Sequence, residues 1–296
     1  MSGAGGGGRA FYVGYLPLPR ADRRFLALAV PVAAAALLAL AATFAVGQRR
    51  PGFGVWETGR EIVLEGEIVR APHPVLRTMG DDGVVRRVLL VEMGKLGAGA
   101  RLEALLAKGG VPADGVLQAR VRGYLIERSG QRMIELAEGD AVEVVAPGAT
   151  MRVPPSAPAV DLGALALAGE IVDSKCWLGV MKPGDGKAHR DCATLCIRGG
   201  IPPAFVCRAP DGSWRRALAV APDGGAIGFE ALAPWIGRPL VAHGKVELRD
   251  DLAYFHIERF GEPAGAAVVA APDRAPAEPP SVQPSSHPSS QPSSHP

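Results

Sequence analysis

Two hydrophobic patterns divide the chain. The first is an unbroken apolar run over residues 25–47, FLALAVPVAAAALLALAATFAVG, which contains no charged residue. At about 1.5 Å of rise per residue, a helix of this length crosses the roughly 30 Å hydrocarbon core of a bilayer. The second pattern is the alternation of apolar and polar positions that is typical of strands, and it covers most of the later chain. The sequence therefore predicts one transmembrane helix, followed by an all-β region with short helices.

The alternating region contains two similar segments. LEGEIVR at 64–70 matches LAGEIVD at 167–173, and VRRVLLVEMG from Val85 matches WRRALAVAPDG from Trp214. A third pair aligns LQARVRGYLIERSGQRMIELAEG, from Leu117, with LVAHGKVELRDDLAYFHIERFG, from Leu240. Three matching blocks in the same order predict a duplicated β domain.

Each copy has a long first strand, two further strands, a short helix and a final hairpin. The helical pieces, ARLEALLAKGG and FEALAPWIG, both end in glycine, as helices commonly do. This order resembles the OB-fold, a small five-stranded barrel, over roughly residues 60–145 and 164–262. The resemblance implies that Gly66 and Gly169 allow the first strand to bend and serve two faces of each barrel.

These patterns predict the domain organisation. We expect a cytoplasmic N-terminal segment at 1–24, the transmembrane helix at 25–47, a first OB-like domain at 51–146, a linker at 147–162, a second OB-like domain at 163–262 with a Cys/His insertion at 174–207, and a tail at 263–296. The tail is rich in Pro, Ala and Ser, a composition that cannot bury a core, so we predict that it is disordered.

Charge around the apolar run predicts the orientation. Four arginines precede the run and two follow it: Arg9, Arg20, Arg23 and Arg24, then Arg49 and Arg50. The positive-inside rule places the N-terminus in the cytoplasm and the bulk of the chain in the periplasm, at a bacterial inner membrane. A cleaved signal peptide is the alternative, because Ala39-Leu40-Ala41 has cleavage-site spacing, although the run is longer than the usual h-region.

The chemistry is concentrated in an insertion that only the second copy carries. AHRDCATLCIRGG, from Ala188, predicts a short helix closed by two glycines. Its His189, Cys192 and Cys196 are spaced i, i+3 and i+7, which places them on one helical face. Cys176, at the end of the first strand, can fold back over that face. The first copy has no cysteine, so the fold itself does not require them.

One imidazole and three thiolates form a tetrahedral set for Zn²⁺, and the same soft ligands suit Cu(I) or an iron centre. Cys176, His189, Cys192 and Cys196 are therefore the candidate metal ligands. Two alternatives stay open. An oxidising compartment favours two disulfides, with Cys207 completing an even number and three possible connectivities. A redox-active thiol pair is the other alternative, although there is no Cys-x-x-Cys motif.

A single anchor before an extracytoplasmic OB barrel resembles the membrane-anchored haem chaperones of cytochrome c maturation. Only the architecture is shared, because the His and Tyr signature of that family's haem attachment has no counterpart here. The series Gly-Glu-Ile-Val-Asp, Cys, His-x₂-Cys-x₃-Cys and Gly-Ile-Pro also resembles a group of uncharacterised exported bacterial proteins.

Composition excludes several functions. A net charge of +2 and 5% aromatic residues give neither the positive groove nor the stacking platform for nucleic acid. No hydrolase or phosphate-loop motif occurs, which favours binding over catalysis. We expect a membrane-anchored periplasmic accessory protein of a redox or respiratory system that holds a metal or cofactor and has a periplasmic or membrane protein partner. The alternative is a structural interaction module with two disulfides and neither metal nor catalysis.

Overall fold

The structure is a computed structural model that describes residues 19–47, 52–109, 117–145 and 153–263. It divides into two compact units, Met1–Gly52 and Phe53–Pro296. Most of the predicted N-terminal segment and nearly all of the predicted tail lie outside the described residues.

Helix α1 (Arg20–Gly47) forms the first unit. Its stretch Asp22–Ala45 has a mean hydropathy of 2.5 and is not buried against protein, unlike the core helix of a soluble domain. Length and composition make α1 a candidate membrane anchor or signal sequence.

The second unit begins with a closed five-stranded barrel. Its elements are β1 (Val55–Val69), β2 (Val75–Met79), β3 (Val85–Val91), α2 (Gly99–Gly109), β4 (Leu117–Arg128), β5 (Gln131–Leu136) and β6 (Val142–Val144). The strands are ordered β1-β2-β3-β5-β4, and β4 pairs again with β1 to close the barrel, while β6 adds to β4. Only β3 and β5 run parallel, as the long connection through α2 and β4 allows.

A second closed barrel follows. It consists of β7 (Val160–Asp173), β8 (Pro203–Arg208), β9 (Trp214–Val220), α4 (Phe229–Leu232), β10 (Pro239–Arg249) and β11 (Leu252–Gly261). Its order, β7-β8-β9-β11-β10, is that of the first barrel, and β9 and β11 are again the parallel pair. The prediction of two OB-like barrels is confirmed. β7 starts earlier than expected, at Val160, because its first residues pair with the far end of β10.

Glycines allow the long first strands to approach their neighbours. A Cβ atom on Gly66 would lie 2.0 Å from the carbonyl oxygen of Arg77, and one on Gly169 would lie 2.3 Å from that of Val206. Both distances are far below van der Waals contact. Only glycine fits these two equivalent positions of β1 and β7, as expected for a tightly coiled barrel strand.

The two barrels share a hydrophobic core. Each barrel has its own cluster of buried side chains, and a further cluster, which we call the seam, joins them. The first barrel contributes Val75, Leu89, Val91, Ile126 and Met133 to the seam; the second contributes Val172, Cys176, Trp177, Leu178, Cys196, Ile201, Ala204, Val206, Leu218, Val220, Leu252 and Tyr254. Burying apolar surface from both barrels fixes their relative position.

Ion pairs reinforce the seam at the last hairpin turn of the second barrel. Asp250 Oδ2 accepts hydrogen bonds from Arg77 Nε at 3.2 Å and Arg87 Nε at 2.8 Å. The neighbouring Asp251 accepts one from the backbone N–H of Arg87 at 2.7 Å. Aspartates are typical of turns, but turn formation is only part of the role of this pair. Asp250 does occupy a turn conformation, with φ of +50°, but its carboxylate holds two buried guanidinium groups of the first barrel.

Candidate metal centre

The candidate site lies in the connection between the first two strands of the second barrel. Residues 70–74 make this connection in the first barrel, whereas residues 174–202 make it in the second. The longer connection contains a helical turn at Cys176–Val180, a second turn at Lys187–His189 and helix α3 (Arg190–Arg198). Gly199 and Gly200 end α3, and the positive φ of Gly200, +94°, suits only glycine at this helix end.

Three cysteines of the connection meet at the seam. The Sγ atoms of Cys176, Cys192 and Cys196 all lie within 4.8 Å of one another. Cys176 and Cys196 are buried and Cys192 is half-buried, and all three are free thiols. Cys207 is also a free thiol, but it lies on β8 and packs against the core of the second barrel. We call the first three the thiol cluster.

A buried carboxylate and imidazole adjoin the thiol cluster. Asp173, the last residue of β7, has one carboxylate oxygen 2.8 Å from His189 Nε2, and its other oxygen accepts the backbone N–H of Cys176 at 2.8 Å. Potential ligand atoms of Asp173, Cys176 and His189 lie within 4.8 Å of one another. The four predicted ligands therefore fall into two triads that share Cys176, and Asp173, which was not predicted, completes the second. His189 is grouped with Asp173, not with the pair Cys192 and Cys196.

Protons are shared unequally within the thiol cluster. The Cys176 thiol donates a hydrogen bond to Cys196, which together with burial raises the pKa of Cys176. The same hydrogen bond, assisted by the positive charge of Lys95, lowers the pKa of Cys196 to about 7. Cys196 therefore ionises before Cys176, and the thiolate is the form that binds metal. Burial instead raises the pKa of Cys207 to about 11.

The first barrel supplies a cation to the thiol cluster. Lys95, in the loop between β3 and α2, places Nζ 2.9 Å from Cys192 Sγ and 3.8 Å from Cys196 Sγ. These contacts raise the pKa of the lysine, chiefly through the hydrogen bond to Cys192. A lysine that the sequence places in the cysteine-free domain is thus part of the site.

The second barrel supplies a lysine in return. The Lys175 ammonium donates to the carbonyl oxygens of Glu92 and Gly94 at 2.9 and 2.8 Å, and to Glu135 Oε1 at 2.9 Å. Only 2% of either side chain, Lys175 or Glu135, is exposed. Since Glu92 and Gly94 directly precede Lys95, this buried ion pair fixes the loop that carries the lysine to the thiols.

Sequence reasoning missed three of these residues. Lys175 lies in an insertion rich in lysine and arginine, a pattern typical of a solvated loop, but tertiary packing buries it between the barrels. Asp173 had a weak signal, since the matching position of the first copy is Arg70, so the repeat changes the sign of charge where the insertion begins. Lys95 had none, because no local pattern reports a contact with residues 97 to 101 positions away.

The arrangement can hold a metal ion. Thiolates are soft ligands that bind Zn²⁺ or Cu(I), and the Asp173 and His189 pair offers a further ligand or an outer hydrogen bond. The chain as a whole matches no protein-family model, no curated protein and no solved structure.

Proposed function

We propose that this protein is a membrane-anchored, extracytoplasmic accessory protein that holds a soft metal ion at the thiol cluster. The observation that carries the proposal is the convergence of three free thiols within 4.8 Å of one another at a buried seam. Reduced cysteines are uncommon in exported domains, where disulfides form readily, unless metal binding or chemistry retains them.

The placement of Cys207 favours metal binding over two stapling disulfides. Two disulfides would need all four cysteines in pairs, whereas Cys207 packs against the core of the second barrel and is absent from the thiol cluster. Three thiols together cannot be satisfied by a single disulfide. They can all bind one ion.

Several features support the remaining parts of the proposal. The apolar helix α1 suits a retained anchor, and the arginines before it favour a cytoplasmic N-terminus. The combination of an apolar N-terminal helix and soft metal ligands supports the proposed role beside a redox or respiratory complex.

Metal content measured on matched cysteine variants tests the proposal. The full-length chain, exported and purified in detergent without chelator, should contain about one soft metal ion per chain. Cys176→Ser, Cys192→Ser and Cys196→Ser should each lose most of it, because a three-thiolate site cannot keep its affinity with two.

Cys207→Ser is the matched control, since it removes a half-buried cysteine of the same barrel outside the thiol cluster. It should retain the metal. A thiol titration of the unfolded chain completes the experiment: no metal in the wild type, or a disulfide within the thiol cluster in place of metal, contradicts the proposal.

A further inference from the structure

We propose that the ion is Cu(I), bound by three sulfurs, and that Lys95 makes the site prefer this monovalent ion to Zn²⁺. This inference rests on the proposed function and names its ligand.

The number of sulfur atoms in the thiol cluster favours Cu(I). An ion about 2.3 Å from each of three sulfurs in one plane requires sulfurs about 4 Å apart. The thiol cluster is compatible with this spacing, since its sulfurs lie within 4.8 Å of one another. Structural Zn²⁺ sites are almost always four-coordinate, whereas thiolates also select Cu(I).

The hydrogen-bonded pair of Asp173 and His189 supports coordination of the ion by three sulfurs alone. His189 Nε2 is held 2.8 Å from Asp173 Oδ2, and 0% of the Asp173 side chain is exposed. The other oxygen of Asp173 accepts the N–H of Cys176. When these hydrogen bonds are kept in the metal-bound protein, Asp173 and His189 orient the backbone of Cys176 and do not coordinate the ion. The ion then has three sulfur ligands.

The charge beside the thiol cluster also favours Cu(I). Three thiolates with Cu(I) carry two negative charges, and with Zn²⁺ they carry one. The ammonium of Lys95, 2.9 Å from Cys192 Sγ, stabilises the more negative complex and repels the additional charge of a divalent ion. Cys192 lies in the first turn of α3, whose N-terminal dipole acts in the same direction. The Lys95 ammonium and the positive N-terminal end of the α3 dipole therefore both favour the monovalent ion Cu(I).

Competition titrations on the full-length chain in detergent, without oxygen, test this inference. Cu(I) affinity is measured against the chromophoric chelator bicinchoninate, and Zn²⁺ affinity against a chromophoric zinc chelator. X-ray absorption of the Cu(I)-loaded chain should give three sulfur ligands and no nitrogen. Lys95→Met should lower Cu(I) affinity about tenfold, because one neighbouring charge at a partly exposed site has this order of effect, and should lower Zn²⁺ affinity less.

Two controls separate charge from folding. Lys95→Arg keeps the charge and should retain the selectivity, and Lys187→Met removes an exposed lysine of the same insertion and should change neither affinity. A zinc complex with a nitrogen ligand, or an equal loss of both affinities in Lys95→Met, overturns the inference and leaves the proposed function intact. Binding of neither metal overturns both.

Discussion

The two barrels have the same strand order but join their first two strands differently. The first barrel uses residues 70–74, which include His73 between two prolines, and it has no cysteine. The second uses residues 174–202, which include three cysteines and His189. A closed barrel thus forms with either connection. The longer connection is not needed to form the sheet, and it carries the candidate metal site. The first barrel contributes Lys95 to that site.

Each barrel also donates one lysine to the other, and the two lysines differ in burial. Lys175 is buried in an ion pair, whereas Lys95 is exposed and contacts sulfur. We therefore expect Lys175 to determine the free energy of unfolding and Lys95 to determine metal affinity.

The largest effect is expected at Lys175. Lys175→Met should lower the free energy of unfolding by about 3–5 kcal/mol, because it leaves the Glu135 carboxylate buried without its cation. Denaturant unfolding of the full-length chain followed by tryptophan fluorescence measures it, with Lys187→Met as the exposed control. Adding Glu135→Leu to Lys175→Met should restore part of the loss. A loss no greater than that of Lys187→Met would show that the buried pair does not fasten the barrels.

A smaller loss in the free energy of unfolding is expected for a substitution in the last hairpin turn of the second barrel. Asp250→Asn should cost about 2–4 kcal/mol, since Arg77 and Arg87 lose their shared carboxylate while asparagine still tolerates the left-handed backbone. The same unfolding measurement applies. Asp211→Asn, in the exposed β8–β9 turn, is the matched control and should lie within about 0.5 kcal/mol of wild type. Equal losses at both turns would contradict a role for Asp250 in joining the barrels.

A pH-dependent effect distinguishes the histidines of the two connections. His189 has a carboxylate partner, whereas burial lowers the pKa of His73 from 6.5 to about 4. His73 lines a cavity of about 260 Å³. The charged side chains of Arg70 and Glu103, whose Nη1 and Oε1 atoms lie 3.9 Å apart, line the same cavity. Between pH 6.5 and 4 the unfolded chain therefore binds more protons at His73 than the folded chain does. The stabilisation that neutral His73 adds to the free energy of unfolding is complete above pH 6.5. It is lost as the pH falls from 6.5 to 4.

Unfolding curves at several pH values test the contribution of His73. His73→Gln should make the decline in stability between pH 6.5 and 4 shallower than in the wild type. An unchanged pH dependence in His73→Gln would exclude His73 as a source of the decline.

The sequence predicts the barrels well because their determinants are local. Alternation, paired glycines and the short helix before each final hairpin all occur within one copy, so the strand order could be inferred. It also places Cys176, Cys192 and Cys196 near one another, because two share a helix and the third ends the preceding strand. The contacts between barrels leave no comparable signal. Asp250 has the sequence of an ordinary turn, and its partner Arg87 has that of an ordinary strand residue, until the seam brings them together.

The loop of Lys95 and the end of α3 touch through their backbones. Gly97 N–H donates to the carbonyl oxygen of Gly199 at 2.9 Å. A Cβ atom on Gly97 would lie 2.0 Å from the oxygen of Gly200, and one on Gly199 would lie 1.9 Å from that of Lys95. A single methyl group at either position would push the two segments apart and carry the ammonium away from the sulfurs, with every charged and sulfur-bearing residue still in place. The spacing of this centre is thus set by two residues that have no side chain at all.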